Sequence, residues 1–376
     1  MRVFFVLNMC FCKIKYRYLQ QKSTKYMKKH CLLLVSLCLL ITMNALGQGR
    51  KLAAYGIGFY NLENLFDTCH DEGKNDYEYL PSGANKWNGF KYKNKLDNMS
   101  RVLAEMGTDV IPNIGCAVIG VSEVENSKCL DDLVAREPLA ARGFKYVHVE
   151  GPDRRGVDCA MLYNPALFTV DDVVLHPYVQ ELEQDSAFYT RGFLTVSGRL
   201  ANEPVTVIVC HWPSRFSGSF YRESAARQVK VIKDNLLKEN PDRKIFVMGD
   251  MNDDPTNISM VRYLQCKPNI NEVEDGDMYN PWYNVLVKDG TGTLMYNGAW
   301  NLFDQIVMTP NVLDRNGAKD YSKLTYFKNQ VFRRDYLFQT EGKYKGNPKR
   351  TTAGGVWLNG YSDHLPTVIY LVKEVR

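Results

Sequence analysis

Acidic residues are absent from the first 47 positions of this 376-residue sequence, which hold eight lysine or arginine residues. A lysine pair precedes a largely apolar run of 13 residues, Cys31 to Met43, and small residues follow up to Gly47. A membrane-spanning helix needs about 20 apolar residues, so this run is too short to span. A basic stretch, a short apolar core and small terminal residues are typical of a secretory signal peptide. We therefore predict that residues 1–47 are a signal peptide, with Met27 as the favoured start, and that the mature protein is periplasmic or secreted.

The rest of the chain lacks an excess of positive charge. The full chain carries +5, and loss of the eight basic residues of the first 47 leaves residues 48–376 at about −3. Sequence-independent binding of nucleic acid needs a basic surface, so any polyanion site must be local, near Arg154-Arg155 or in the stretch 215–227.

Cysteine spacing and repeats give no further signal. None of the six cysteines after residue 47 shows metal-site spacing, and no repeat, low-complexity linker or domain break interrupts the chain. We therefore predict one domain over residues 48–376, with a basic, aromatic elaboration at about 310–360.

Apolar periodicity predicts both helices and strands. Spacing of three to four residues predicts helices over 91–106, 129–140 and 223–239. Short apolar runs predict strands over 55–61, 117–121, 146–150, 158–163, 194–200, 205–210, 245–248, 303–308 and 367–372. Strands and helices without strict alternation predict a layered α/β or α+β domain.

Polar side chains recur at the ends of these apolar runs. They are Asn61, Glu123, His211, Asp250 with Asn252, and Asp363 with His364. Because strand ends converge at the rim of a sheet, we expect these groups to meet there.

The residue types suit hydrolysis of a phosphoester. Glu123, with Asn61, Asp250 and Asp363 nearby, would form an incomplete oxygen shell of the kind that Mg²⁺ or Mn²⁺ accepts. The two histidines, His211 and His364, can donate to phosphate oxygens as negative charge grows.

Asp250, Asn252 and Asp304 can take further parts in such a hydrolysis. If the chain is still extended after its strand, Asp250 and Asn252 point to one side, where they can position and activate a water. Asp304 lies within an apolar segment and can orient His364 from behind.

Each residue also has a structural interpretation. Asn61 and Asp250 with Asn252 are typical of caps and turns. Glu123 and Glu125 suit a solvated edge, and His211 a buried core position. Asp304 is the hardest to explain structurally, because a buried carboxylate needs a partner.

Five motifs together resemble the endonuclease/exonuclease/phosphatase superfamily, which includes deoxyribonucleases, abasic-site endonucleases, inositol-polyphosphate 5-phosphatases and bacterial sphingomyelinases. The motifs occur in the family's order and span residues 60 to 366. They are Tyr60-Asn61-Leu62-Glu63-Asn64, Val121-Ser122-Glu123-Val124-Glu125-Asn126, His211-Trp212-Pro213-Ser214, Gly249-Asp250-Met251-Asn252 and Ser362-Asp363-His364-Leu365-Pro366. The opening motif and the predicted signal peptide resemble an uncharacterised exported bacterial branch.

The resemblance implies a fold and a set of roles. The fold would be a four-layer sandwich, with two β-sheets face to face and helices outside. Glu123 would be the principal metal ligand, Asn61 its neighbour, and Asp363 would assist the metal or the histidine.

The catalytic roles follow by the same resemblance. Asp250 would activate the water, Asn252 would help to hold water and phosphate, and Asp304 would orient His364. His211 falls where deoxyribonuclease-like members carry a phosphate-contacting histidine. Arg155 would be a further phosphate contact.

Three functions remain open from the sequence. The first is an exported Mg²⁺-dependent nuclease, with the basic 310–360 segment along the nucleic-acid backbone. The second is a phosphatase or phospholipase-C-like enzyme for a small or lipid phosphoester, for which Pro281-Trp282-Tyr283 is a candidate membrane-docking loop. The third is an inactive binding module, which the intact motif residues disfavour. No stable protein partner is predicted.

Overall fold

Most of the predicted strands pair into two β-sheets in a computed structural model of the chain, which describes residues 51–182, 188–296 and 298–375. The predicted signal peptide lies outside the described residues. The first sheet has six strands, in spatial order β14 (Thr325–Val331), β17 (Thr367–Glu374), β1 (Leu52–Leu65), β2 (Cys116–Val124), β4 (Asp158–Tyr163) and β3 (Lys145–His148). The second has seven, in the order β5 (Phe168–His176), β6 (Phe193–Leu200), β7 (Glu203–His211), β8 (Lys244–Asp250), β13 (Asp304–Met308), β10 (Met278–Tyr279) and β9 (Cys266–Lys267).

Short hairpins and helices complete the described secondary structure. The hairpins pair β11 (Leu294–Tyr296) with β12 (Ala299–Asn301) and β15 (Thr352–Ala353) with β16 (Val356–Trp357). The α-helices are α1 (Gly89–Glu105), α2 (Ser127–Val134), α3 (Ser219–Glu239) and α4 (Trp282–Val287). No helix in this part of the chain is long and apolar enough to cross a membrane.

Both sheets are mixed. β1 and β2 run parallel in the first sheet, β7 and β8 run parallel in the second, and the neighbouring long strands are antiparallel. Parallel strands end at the same edge of a sheet, so each sheet has one edge where two chain segments leave together. The predicted layered fold of two β-sheets and helices is confirmed, and both sheets are mixed.

Both faces of β8 are buried, and alternate side chains pack in two different hydrophobic clusters. Phe246 and Met248 join the core cluster that contains the first sheet, whereas Ile245 and Val247 pack in a second cluster with Val229 of α3. A strand that is apolar on both faces fits between a second sheet and a helix layer, as the continuous apolar run predicted.

The two sheets approach closely at Gly120 of β2. A Cβ atom there would lie 2.5 Å from Sδ of Met248 and 3.2 Å from Cγ1 of Val209. A larger residue at this position would therefore have to displace these second-sheet side chains.

Several predicted boundaries need correction. The helix predicted over 129–140 is α2, Ser127–Val134, which ends shortly before Pro138, since the residue before a proline disfavours helical conformation. The strand β5 was missed because its burial is low, as expected for an edge strand with two adjacent aspartates.

The predicted elaboration at 310–360 is only partly separate from the sheets. β14 lies within it and pairs with β17 as the edge of the first sheet, so this stretch contributes to the sheet itself. Residues Leu52–Glu374 form one compact unit.

Candidate active site

Three neighbouring strands of the second sheet place His211, Asp250 and Asp304 in a row. His211 is the register partner of Asp250 across the parallel pair β7 and β8. Asp304, the first residue of β13, is the partner of Asp250 on the other side. All three side chains are buried, so the row lies at the edge of the sheet but away from bulk water.

The first sheet brings Asn61 to the same place. Nδ2 of Asn61 donates to Oδ2 of Asp250 at 3.0 Å, and Oδ1 of Asn61 accepts from the backbone N of Glu63 at 2.8 Å. These two partners fix the orientation of the amide, and the first bond joins the ends of β1 and β8 across the two sheets.

Glu123 leaves β2 in a left-handed backbone conformation, with φ of 61°. Such a conformation is costly for glutamate and persists only where surrounding contacts enforce it. Oε2 of Glu123 accepts from the backbone N of Asn64 at 2.9 Å. Oε1 lies 3.8 Å from Nε2 of His211 and 3.9 Å from Nη2 of Arg155, beyond hydrogen-bond distance. One carboxylate oxygen therefore remains directed into the site.

His364 and Asp304 form a buried pair. Nδ1 of His364 lies 2.7 Å from Oδ2 of Asp304. The backbone N of His364 donates to Oγ of Ser362, which donates to the carbonyl O of Asn61, so the loop before β17 is fastened to β1. The imidazole is therefore fixed from two sides.

The two histidines differ in charge. Burial alone would lower the pKa of His364, but the carboxylates of Asp304 and Asp250 raise that pKa well above the usual value for histidine. Burial lowers the pKa of His211 far below the usual value, and the nearby Arg191 and Arg155 lower it further. His364 is therefore an imidazolium near neutral pH and His211 a neutral imidazole. Both rings can still donate a hydrogen bond to a phosphate oxygen, His364 as a cation and His211 as a neutral donor.

Asp250 lies between these two rings. Its Oδ2 is 3.7 Å from Nε2 of His211 and 3.8 Å from Nε2 of His364. Burial raises the pKa of Asp250 to about 6, with His364 acting in the opposite direction and Asp304 adding to the rise. A carboxylate with a pKa near 6 suits a general base at neutral pH.

Asn252 does not lie beside Asp250 as the extended-chain argument expected. Its φ is 50°, so the chain has already turned, and its Nδ2 donates to the carbonyl O of Trp212 at 2.9 Å. Its backbone N donates to Oδ1 of Asp250 at 2.9 Å. Through these contacts Asn252 orients Asp250 by its backbone and fixes the segment after β7 by its side chain.

Asp363 is already engaged by an arginine. Its Oδ2 lies 3.0 Å from Nη2 of Arg350, and its Oδ1 lies 3.9 Å from Nε2 of His364. Arg350 also donates from Nε to Oε1 of Glu63 at 2.8 Å. Arg350 thus engages one oxygen of Asp363, and the other is beyond hydrogen-bond distance of His364.

Sequence reasoning missed the buried charges behind this edge. Lys95 is fully buried and donates to Oγ1 of Thr351 and to the carbonyl O of Tyr361, both at 2.5 Å. Burial lowers the pKa of Lys95 to about 8. A lysine at an apolar position of the predicted helix 91–106 was the available signal, because lysine is rarely buried without a partner.

Arg155 reaches the site from the turn before β4. Its Nη2 donates to Oδ1 of Asn64 at 2.7 Å, and the side chain is about half exposed. Arg191, which the sequence did not single out, is buried and donates to the carbonyl O of Trp212 at 3.2 Å and to Asp153 at 3.0 Å. Arg155 thus faces the open side of the site, whereas Arg191 supports it from within.

The donor set fits a single Mg²⁺ or Mn²⁺ with several waters. Among the described residues, no group of three or more His, Cys, Asp and Glu side chains is arranged to hold a metal ion. Mg²⁺ usually keeps waters and takes only one or two protein carboxylates. The free oxygen of Glu123 meets that requirement as one carboxylate ligand.

Two arginines of the basic 310–360 segment are engaged by other parts of the protein. Arg334 pairs with Asp109 at 2.7 Å, and the guanidinium of Arg333 packs over the rings of Trp300 and Phe338. The exposed cations Lys343 and Lys345 remain for the predicted contact with a nucleic-acid backbone.

The stretch 215–227 is neutralised as well. Arg222 lies 2.8 Å from Asp253, and Arg227 lies 2.5 Å from Glu181. The candidate membrane loop is also not exposed, because Trp282 is fully buried and donates from Nε1 to the carbonyl O of Ile306.

Comparison with protein families gives one match that covers most of the chain. The model described as the endonuclease/exonuclease/phosphatase family matches residues 56–373. A comparison with curated proteins found no match.

Solved structures with the same fold include two from Bacteroides thetaiotaomicron. One is an endonuclease/exonuclease/phosphatase family protein, 13% identical, with a TM-score of 0.52 over 87% of this chain and 98% of that chain. The other is a mannosyl-6-phosphatase, 14% identical, with a TM-score of 0.52 over 84% of this chain and 99% of that chain. At these identities the similarity establishes the fold alone.

Proposed function

Because this chain belongs to the endonuclease/exonuclease/phosphatase family of phosphoester hydrolases, we propose that it is an exported endonuclease dependent on Mg²⁺ or Mn²⁺. It hydrolyses nucleic-acid phosphodiester bonds by in-line attack of water. The observation that carries the proposal is the position of Asp250 between the His364 imidazolium and the neutral imidazole of His211. A second histidine at this place is the feature that resembles deoxyribonuclease-like members.

Metal binding falls to Glu123 and Asn61. When bound there, Mg²⁺ would neutralise charge on the phosphate. Family members generally use divalent metal ions.

Asp250 is the general base of the proposed reaction. Its carboxylate accepts a proton from the attacking water, and the amide of Asn61 holds Oδ2 in position at 3.0 Å. The pKa of about 6 means that Asp250 is ionised at neutral pH and can still take up a proton.

His364 stabilises the charge that develops. Its Nδ1 is occupied by Asp304, so Nε2 is the nitrogen that can donate to a phosphate oxygen. The Asp304 carboxylate keeps the ring both protonated and oriented.

Neutral His211 and cationic Arg155 hold the phosphate from the other side. A neutral imidazole donates through one nitrogen without adding charge, and Arg155 supplies a guanidinium at the exposed side. We assign substrate binding to His211 and Arg155. Asn252 supports them by donating to the carbonyl O of Trp212, the residue that follows β7.

Hydrolysis of a small phosphoester is the second candidate. It is favoured by the ion pairs that occupy the basic segments, because a small substrate needs no extended cationic groove. The mannosyl-6-phosphatase of similar fold is a protein whose name states such an activity.

Parallel assays of the purified protein separate the two candidates. Plasmid DNA, RNA, an inositol phosphate and sphingomyelin are incubated with Mg²⁺ or with EDTA, and His364→Ala serves as the control. We expect Mg²⁺-dependent cleavage of nucleic acid that is lost in the variant. Turnover of only the small or lipid phosphoester would replace the nuclease proposal by the second candidate.

Export is proposed from the sequence pattern of residues 27–47. N-terminal sequencing of the protein recovered from the host's periplasm or medium should begin at Gln48. Recovery of the protein only inside the cell, with its N-terminal residues intact, would contradict this.

A further inference from the structure

Phe216 is fully exposed in a segment that is otherwise tied to the active site. Four residues earlier, Trp212 is fully buried and its carbonyl O accepts from Asn252. A single exposed aromatic is ordinary on a protein surface. Phe216 differs in that hydrogen bonds and ion pairs fix the backbone of the turn on which it lies.

A buried arginine fixes both ends of the turn Ser214–Ser217, in which Phe216 lies. The backbone N of Ser217 donates to the carbonyl O of Ser214 at 3.0 Å, which closes the turn. Nη1 of Arg222 donates to the carbonyl O of Ser214 at 3.0 Å and to that of Ser217 at 3.2 Å. The turn is therefore held at both ends by Arg222, while the Phe216 side chain is fully exposed.

The same arginine links the turn to the catalytic loop. Nε of Arg222 lies 2.8 Å from Oδ1 of Asp253, the residue after Asn252. Oδ2 of Asp253 accepts from Oγ of Ser259 at 2.7 Å, so the carboxylate is itself fixed. A shift of the turn would have to break this buried ion pair.

Arg215, the neighbour of Phe216, contacts the catalytic loop directly. Its Nε donates to the carbonyl O of Asn252 at 3.1 Å, and its Nη2 donates to Oδ2 of Asp254 at 2.9 Å. Its guanidinium also packs over the ring of Phe303 at 4.3 Å. Phe216 is thus one residue away from a contact with the loop that carries Asp250.

We propose that Phe216 stacks on an unpaired nucleobase next to the phosphate held at the site. The inference rests on the proposed nuclease function and adds a contact between the protein and a base of the substrate. Every base has a flat face, so an aromatic side chain on a fixed turn binds bases with little regard to sequence. A rigid aromatic loses little side-chain freedom when it stacks.

A lipid surface is the less suitable occupant. The turn surrounds Phe216 with serine, arginine and glycine, and Ser214, Arg215 and Gly218 are exposed. Membrane insertion needs a larger apolar face than one ring.

The test compares two single-stranded oligonucleotides that differ at one nucleotide beside the cleaved phosphate. This nucleotide carries a base in one strand and is abasic in the other. Phe216→Ala should raise KM for the base-containing strand about tenfold, in line with loss of one stacked base. Its effect on the abasic strand should be much smaller. Phe216→Tyr should restore the wild-type preference, because it keeps the aromatic face.

Phe327→Ala is the matched control, since Phe327 is an exposed phenylalanine on the edge strand β14. It should change neither KM. An equal loss on both strands in Phe216→Ala, or failure of Phe216→Tyr to restore the preference, would overturn the stacking role. Loss of binding to phosphatidylcholine vesicles in Phe216→Ala, with oligonucleotide KM unchanged, would assign the residue to a lipid surface instead.

The outcome for the wild-type protein separates this inference from the proposed function. If it cleaves both oligonucleotides and Phe216→Ala does not alter the preference, only the stacking role is wrong. If it cleaves neither and hydrolyses a small phosphoester, both proposals are wrong.

Discussion

The two sheets contribute different environments to one site. The first sheet supplies the proposed metal ligands: Glu123, which has a positive φ and a side chain 13% exposed, and Asn61, which is buried. The second supplies the proton-transfer row, His211, Asp250 and Asp304, whose side chains lie in regular strand register and are at most 4% exposed.

The difference reflects what each half has to do. Burial shifts pKa values, so the groups that move or hold protons belong in the sheet. An ion and its waters must exchange with solvent, so a metal ligand belongs at an open turn. With the proposed roles, the fold joins Glu123, at a residue of positive φ in the first sheet, to a buried row of the second.

Removal of His364 should have the largest effect on the proton-transfer side. We expect His364→Ala to lower kcat by about 10³-fold, because the group that stabilises the developing charge is lost. Steady-state kinetics at saturating Mg²⁺ provide the measurement. His176→Ala, at a partly exposed histidine on β5, should retain full activity. A loss of less than tenfold in His364→Ala would contradict the assignment.

Substitution of Glu123 should separate the metal-facing edge from the row. Glu123→Gln keeps the size of the side chain but removes the charge, so the Mg²⁺ concentration for half-maximal activity should rise about 10- to 100-fold. Titration of activity with Mg²⁺ measures this. His364→Ala, assayed alongside, should leave the Mg²⁺ midpoint in place. A common shift in both variants would mean that the two sides are not separable.

The pH dependence of activity should reflect the ionisation of Asp250 and His364. Asp250 must be ionised, so kcat/KM should rise with pH through about 6. His364 must be protonated and its pKa is raised, so activity should fall only at alkaline pH. Asp304→Asn removes a carboxylate that raises the pKa of His364, and the alkaline limb should therefore move to lower pH. If the alkaline fall in activity stays at the same pH in Asp304→Asn, it does not arise from deprotonation of His364, because that pKa depends on the Asp304 carboxylate.

A change at the contact between the sheets should have the smallest effect on catalysis. Gly120→Ala would crowd Met248, whose flexible side chain can yield, so the free energy of unfolding should fall by only about 1 kcal/mol. Chemical denaturation measures it, and kcat/KM should change by no more than a few-fold. A large loss of activity with unchanged stability would show that the distance between the halves is finely set.

Much of this arrangement could be predicted from local sequence. Asp250 follows an apolar run and a glycine, so it could be placed at a strand end, whereas Asp304 lies inside the predicted strand 303–308 but is the first residue of β13. The resemblance carried by five ordered motifs added the fold, which the family match and the solved structures confirm. The roles of the site residues stay predictions.

The remaining features depend on contacts between distant segments. Asn252 has a positive φ, and its side chain donates to the carbonyl O of Trp212, 40 positions earlier. Arg350 engages Glu63 across 287 positions, and no periodicity signals such a pair. The charge states of His211 and His364 follow from burial and neighbours that the sequence does not specify.

The stereochemical course at phosphorus tests the central claim most directly. A chiral phosphorothioate diester is cleaved in ¹⁸O-labelled water with Mg²⁺, and the configuration of the product is determined. Direct in-line attack by the water that Asp250 activates predicts inversion of configuration. Retention would require two displacements and a covalent enzyme intermediate, and would contradict the assignment of water as the nucleophile.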